Sequence, residues 1–228
     1  MKLKLSVRYI ITFLLLVIVM LEVHEIVHIT IGRIICGCWG TRDFNVWQLC
    51  SGCDANAWTW LATLAGPLFS FALMWMGWYL LSTRSQHNKA MGFALVFANI
   101  PLGRITGPMM GGGDEMVVAK HFLQAFMGHT QIIVICTAVL LLLGVPPIVR
   151  AYKTITNKFK WLYIAGFLTL PLVLILLYVL TFLNGLLLNG FLSTPFIMGT
   201  PLLITLHTTV AAVLLILLRE NLTRIAVK

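Results

Sequence analysis

The chain has 228 residues, of which 60% are hydrophobic and only 10% are charged, and its mean hydropathy is +0.96. A soluble domain averages about 25% charged residues, so this composition excludes a protein that covers itself with polar surface. The formal net charge is +9, but no basic segment has the interleaved aromatic residues or fold signature of a nucleic-acid reader. We therefore predict no nucleic-acid partner.

Long apolar stretches follow one another along the chain. A transmembrane helix needs roughly 20 mostly apolar residues, and several stretches meet this requirement. Another candidate, residues 90 to about 127, is interrupted by Pro101, Pro108 and the sequence MMGGGD. We predict an all-α polytopic membrane protein with about six transmembrane segments, one of them broken or re-entrant. The uninterrupted segments are 9–35, 57–81, 131–149, 161–183 and 198–218.

The first residues begin like a secretory signal peptide, with a basic start and then an apolar run. No small-residue cleavage motif follows, and the apolar run is longer than the corresponding region of a signal peptide. We therefore expect this stretch to remain as the first membrane helix.

Lysine and arginine are distributed unevenly between the two sides of the predicted segments. If every segment crosses once, twelve of the sixteen, including Lys228, lie on the side of the N-terminus. The remaining four are Arg33, Arg42, Arg104 and Lys120. The positive-inside rule then predicts that both termini are cytoplasmic. The basic side is expected to contact anionic lipid of the bilayer.

Four of the five cysteines lie in the loop after the first segment, as Cys36, Cys38, Cys50 and Cys53. The predicted orientation puts this loop outside the cell, where disulfide bonds form. Paired cysteines that flank a loop are also a zinc-binding pattern, and four reduced, buried thiols are a third interpretation. The disulfide interpretation agrees best with the charge distribution.

The sequence HEIVH, residues 24–28, lies near the end of the first apolar segment. His24 and His28 are four residues apart, so a helix places them on one face, where their imidazoles can hold one zinc ion. Glu25 can then act as general base toward a water activated by the metal. Ionisable residues at membrane depth are costly, which favours this functional interpretation over a structural role for Glu25.

A catalytic zinc usually takes three protein ligands, so a third ligand is needed. Asp114 is the best candidate, because it follows GPMMGGG in the interrupted segment. Irregular backbone at membrane depth is tolerated where it is buried in protein or lines a water-filled cavity. The alternative is that Asp114 only caps a helix beginning at Glu115.

Three sequence elements together resemble the site-2 protease family, whose members are intramembrane zinc metalloproteases. HEIVH matches the metal and base motif of that family, and the AGPLFSF element carries its glycine-proline pair as Gly66 and Pro67. ANIPLGRITGPMMGGGDE resembles the Asn/Pro segment that leads to the aspartate ligand. The resemblance covers about residues 9–120, and in this chain the glycines precede Asp114 instead of following it.

The resemblance implies a zinc-dependent endopeptidase that hydrolyses peptide bonds in or near transmembrane segments of membrane protein substrates. One Zn²⁺ per chain would be held by His24, His28 and Asp114, with Glu25 as the catalytic base. Asn99 and Pro101 would contact substrate. Residues 1–128 would form the catalytic membrane core, with the metal between the first and third segments, and residues 129–228 would be accessory transmembrane helices.

Two other functions place histidines in helical membrane proteins. A metal or ion transporter would use the histidine pair as a binding site, but transporters often have paired broken helices and only one break is evident here. A di-iron desaturase would need more clustered histidines than the six in this chain. The sequence predicts neither the substrate nor the oligomeric state.

Overall fold

The computed structural model describes residues 1–53 and 56–227, so Lys228, one of the basic residues counted above, lies outside the described residues. Six helical stretches in it are long and apolar enough to cross a membrane. The chain is therefore an all-α polytopic membrane protein, as predicted. The stretches are Val7–Cys36, Thr59–Ser82, Gln86–Met109, His129–Thr154, Lys160–Leu188 and Leu202–Leu222.

The helices within and between these stretches are numbered in chain order. Four of the described helices are each uninterrupted for at least seventeen residues: α1 (Val7–Cys36), α2 (Thr59–Ser82), α6 (His129–Thr154) and α9 (Leu202–Leu218). The fifth stretch combines α7 (Lys160–Leu174), a π-helical segment (Ile175–Leu183) and α8 (Asn184–Leu188), and a 3-10 turn (Arg219–Leu222) follows α9.

The predicted segment 90–127 is broken, as expected, but its last part does not belong to the membrane-spanning stretch. The span consists of α3 (Gln86–Ala98) and α4 (Pro101–Met109), and α5 (Asp114–Leu123) is a separate short helix. Ile100 has a φ of 55°, a left-handed conformation that ends α3 before Pro101 begins α4. The glycines after Met110 then reverse the chain, with positive φ at Gly111 and Gly113.

The two ends of the chain meet on one side of the helix bundle. Strand β1 (Lys2–Leu3) pairs antiparallel with β6 (Ala226–Val227). The N-terminal ammonium donates to the carbonyl of Thr154, and the Asn157 side chain donates to and accepts from the backbone of Leu3. The termini and the connection between α6 and α7 therefore share one face, and the loop after α1 lies on the other.

Aromatic rings hold the centre of the bundle together. The Phe167 ring of α7 packs edge-on against Phe13 of α1 and against Phe93 of α3, with 4.9 Å between ring centroids in both pairs. Edge-to-face pairs of this kind add about 0.5–1.5 kcal/mol each beyond the burial of their area. Phe13 and Phe93 precede residue 128, where the predicted catalytic core ends, and Phe167 follows it. The aromatic core therefore joins helices from both predicted parts of the chain.

The loop after α1 forms a cap that is tied to the bundle by covalent and ionic contacts. Disulfide bonds join Cys36 to Cys53 and Cys38 to Cys50. Between them, β2 (Thr41–Arg42) and β3 (Trp47–Gln48) form an antiparallel hairpin. The Arg42 guanidinium donates to Glu22 of α1 and to Thr200, in β5 (Thr200–Pro201), which pairs with β4 (Pro195–Ile197).

We expect Arg42→Met to lower the free energy of unfolding by about 3–5 kcal/mol, because it leaves the buried Glu22 carboxylate without its cation. Both side chains are almost fully buried, at 2% and 1% exposure. Denaturant unfolding in detergent micelles measures the change. The double variant Glu22→Met/Arg42→Met should recover most of the loss.

The exposed pair between Arg224 and Glu220 provides the control for the buried pair. Its side chains are 67% and 76% exposed, and Arg224→Gln should leave stability unchanged within error because exposed pairs contribute little. A loss of the same size in Arg42→Met and Arg224→Gln would contradict the structural role of the buried pair.

Candidate metal centre

The two histidines of HEIVH lie on the inward face of α1 and are buried from solvent. Their Nε2 atoms are 3.0 Å apart. This approach follows from the four-residue spacing, which places the two rings on consecutive turns of the helix, where they meet edge to face at 87°. The predicted pair is therefore formed and faces protein, not lipid.

Asp114 reaches both histidines from the start of α5. Its Oδ2 atom is 3.4 Å from the Nε2 of His24 and 3.2 Å from the Nε2 of His28. Gly113, with a φ of 85°, occupies the N-cap position, and the helix begins at Asp114 itself. The alternative in which Asp114 only caps a helix beginning at Glu115 is therefore wrong, because the carboxylate points at the imidazoles.

The tautomer of His28 follows from its contact with a carbonyl group. The Nδ1 atom of His28 lies 2.7 Å from the carbonyl oxygen of Ala62 in α2, and a carbonyl oxygen can only accept. Nδ1 therefore donates, and in the neutral ring Nε2 carries a lone pair. That lone pair faces the carboxylate of Asp114, so two acceptors meet at a position that suits a cation.

His24 has polar neighbours at its other ring nitrogen. Its Nδ1 atom lies 3.0 Å from the Ser70 hydroxyl of α2 and 2.9 Å from a guanidinium nitrogen of Arg104 in α4. Arg104 also approaches Glu115, with 3.9 Å between charged atoms. The Ser70 hydroxyl can accept a hydrogen bond from Nδ1, and a hydrogen bond in that direction orients a histidine that serves as a metal ligand. The Arg104 guanidinium can only donate, so its contact instead favours a neutral His24 with the proton on Nε2.

Ser70 and Arg104 were not among the predicted site residues. Ser70 lies in an apolar helix, and nothing in its local sequence distinguishes it from a residue that packs against a neighbouring helix. Arg104 carried a usable signal, since a charge within an interrupted apolar segment is costly and points to a functional site.

Gly66 lets α2 approach the two imidazoles. A Cβ atom at this position would overlap Nε2 of His28 and lie 2.7 Å from Cε1 of His24. Gly66 and Pro67 lie in the interior of α2, which begins at Thr59. The requirement for glycine here is the space that the histidine rings occupy.

The hairpin of the cap covers the site on one side. The Trp47 ring of β3 stacks on the His28 ring, with 4.8 Å between centroids and 13° between planes. An aromatic ring at this position limits the motion of His28 and keeps water from that face of the imidazole. The cap is therefore part of the wall of the site.

Glu25 lies at a cavity that also contains the metal-ligand candidates. The cavity has a volume of about 650 Å³, and its lining includes His24, Glu25, Arg104 and Asp114. Glu25 is 4% exposed, and its Oε2 atom has no hydrogen-bond partner among the described residues. A buried carboxylate oxygen without a partner is unusual and suits a group that exchanges a proton with a bound molecule.

Asn99 and Pro101 lie at the break in the third span. Asn99 is buried, and its side-chain amide donates to the carbonyl of Leu95 at 2.8 Å. Among the residues described, neither Asn99 nor Pro101 lines the cavity, whereas Ile100 and Gly103 do. Their role in substrate contact stays a prediction based on the resemblance alone.

The three ligand atoms fit a zinc ion by chemistry and by spacing. Zinc bonds of about 2.0 Å in a tetrahedral site place ligand atoms about 3.3 Å apart. The three separations here are 3.0, 3.2 and 3.4 Å. Among the described residues, His24, His28 and Asp114 form the group whose histidine and carboxylate atoms converge in this way. Two imidazoles and one carboxylate would leave a fourth position open.

We expect Gly66→Ala to abolish zinc binding, because the added methyl group would occupy the space of the two imidazoles. Metal content of the purified protein and titration with zinc measure the effect. The matched control is Gly166→Ala in α7, where an added Cβ meets no atom within 4 Å. Equal zinc content in the two variants would show that the His24–His28 pair is not the ligand pair.

No family model, no curated protein and no solved structure matches this chain.

Proposed function

We propose that this protein is an intramembrane zinc metalloprotease that hydrolyses peptide bonds in or near transmembrane segments of membrane proteins. One observation carries the proposal: the lone pair of His28 Nε2 faces the Asp114 carboxylate at 3.2 Å. Glu25 lines the same cavity as Asp114. The resemblance to site-2 proteases supports the same residues in the same roles. On this proposal residues 1–128 are the catalytic core.

His24, His28 and Asp114 would hold one zinc ion per chain. When bound, zinc would supply Lewis acidity to a water molecule and to the carbonyl of the scissile bond. Glu25 would accept the proton from the attacking water and deliver it to the amine as the C–N bond breaks. Its position at the cavity and its unpaired oxygen suit this transfer.

The walls of the cavity suit an apolar substrate segment that enters the cavity from the bilayer. Leu172, Ile175, Leu176 and Leu180, from α7 and the π-helical segment, line it together with the polar site residues. A helical substrate hides its carbonyl groups in hydrogen bonds, so it must unwind before it reacts. The β2–β3 hairpin lies next to the site, and the edge of a hairpin can pair with an extended peptide.

We expect Glu25→Gln to retain zinc and to lose hydrolysis by a factor of at least about 100, because the amide cannot accept a proton from water. The measurement compares new protein N-termini, mapped by mass spectrometry, in membranes that express the wild-type or the variant chain. Glu220→Gln, an exposed change of the same type, is the control.

The outcomes of this comparison separate hydrolysis from transport. New N-termini within membrane segments should occur with the wild type and with Glu220→Gln and should disappear with Glu25→Gln. Identical sets of N-termini for all three chains would contradict a protease. Zinc-dependent ion flux through vesicles, unchanged in Glu25→Gln, would favour the transporter alternative.

We further propose that both termini are cytoplasmic and that the disulfide-bonded cap lies outside. The uneven distribution of lysine and arginine supports this orientation, and disulfide bonds in the cap agree with an oxidising compartment. This orientation sets the metal toward the outer half of the bilayer, whereas site-2 proteases usually hold it nearer the cytosol.

Labelling of the cap cysteines in intact cells tests the orientation. We expect a membrane-impermeant maleimide to label Cys36, Cys38, Cys50 and Cys53 only after treatment with an impermeant reductant, because the thiols are paired and outside. Replacing all four with serine should remove the signal. Labelling that needs permeabilised cells and no reductant would reverse the proposed orientation.

A further inference from the structure

A long groove on the outside of the bundle lies between the N-terminal part of the chain and α7. It has a volume of about 640 Å³ and is lined almost entirely by apolar side chains. Leu5 and Phe159 lie at one end, Gly166 lies midway, and Val173 lies at the other end. The groove is separate from the metal centre, and none of its lining residues belongs to the catalytic proposal.

The length of the groove suits an extended hydrocarbon chain. Within α7 its lining residues run from Leu162 to Val173, a distance of about 17 Å at the rise of an α-helix. Half of the hydrocarbon core of a bilayer is about 15 Å thick, so the groove is about as long as the acyl chains of one leaflet. The groove is open at Gly166, where an added Cβ atom would meet no other atom within 4 Å.

The end of the groove at Leu5 and Phe159 is surrounded by exposed cations. Lys4 and Arg8 flank Leu5 in sequence, and Lys158 precedes Phe159. The reciprocal hydrogen bonds between Leu3 and Asn157, at 2.7 and 3.0 Å, hold these two segments together. The ammonium of Lys158 lies 5.4 Å from the centre of the Phe159 ring, which lines the groove.

Among the described residues, no ion pair includes Lys4, Arg8 or Lys158. The sequence has no aspartate or glutamate before Glu22 and none between Glu115 and Glu220. Glu220 accepts a hydrogen bond from Arg224 at 2.9 Å. The positive charge at the mouth of the groove is therefore available to an anion at the surface of the membrane.

We propose that this groove is a binding site for one anionic phospholipid. One acyl chain lies in the groove along α7, and the phosphate contacts Lys4, Arg8 and Lys158 at its mouth. A ligand with a long apolar tail and an anionic head matches the apolar wall and the basic rim together. A second copy of this chain packed on the same face would bring two sets of like charges into contact.

The test is native mass spectrometry of the full-length protein incubated with an equimolar mixture of dioleoyl phosphatidylglycerol and dioleoyl phosphatidylcholine. The wild type should retain one phosphatidylglycerol in preference to phosphatidylcholine. Lys4→Gln/Lys158→Gln should lower this preference by about fivefold for each cation removed. Gly166→Trp should lose both lipids, because the indole fills the groove.

Two further variants keep the test decisive. Arg84→Gln/Arg219→Gln removes the same charge from other exposed sites on the face that carries the termini, and its lipid preference should match the wild type. Gly166→Leu fills the groove with a smaller side chain if Gly166→Trp fails to fold, as judged by thermal unfolding.

Three results would overturn the proposal. The first is that the wild type retains the two lipids equally. The second is that the two double-glutamine variants lose the preference for phosphatidylglycerol to the same extent. The third is that a folded Gly166 variant retains as much lipid as the wild type. A dimer that forms without lipid and that Gly166→Leu dissociates would show that a second copy covers the groove instead. The measurement of bound lipid does not depend on zinc content, so a negative result would not bear on the proposed protease function.

Discussion

The arrangement of this protein depends on two imidazole nitrogens and one carboxylate oxygen brought within 3.4 Å of one another at the centre of an apolar bundle. The Nε2 atom of neutral His28 and the Asp114 carboxylate are both acceptors, so at 3.2 Å they repel one another unless a proton or a metal ion lies between them. The rest of the fold holds them there: α1 supplies the pair, the Ala62 carbonyl fixes one ring, and the turn before α5 aims Asp114. Gly66 provides the space that these rings require.

The polar residues around the site form a layer that spans several helices. Glu25, Arg104, Asp114 and Glu115 line one cavity, although they come from α1, α4 and α5. Charges at membrane depth are tolerated when they face the interior of the bundle or a water-filled cavity, and this cavity supplies that environment. The break at Ile100 and the glycine turn after Met110 place Arg104 and Asp114 on its wall. Irregular backbone is therefore concentrated where the polar chemistry lies.

Much of the architecture and of the site was predictable from the sequence, because both follow from local patterns. Runs of apolar residues predicted the six membrane stretches, and the four-residue spacing predicted that His24 and His28 share a face. Two features were not predictable in this way, one because it joins distant residues and the other because the sequence of a turn does not give the direction in which the chain leaves it. The contact between Ser70 and His24 joins positions 46 residues apart, and the separation of α5 from the third span depends on how the glycines turn the chain.

The pairing of β1 with β6 has a consequence for the order of events during synthesis. Strand β1 leaves the ribosome about 220 residues before β6 is made. The three proposed ligands, His24, His28 and Asp114, lie between the two strands, so all three are made before β1 can meet its partner. The pairing of β1 with β6 therefore comes later in synthesis than the residues of the proposed metal centre.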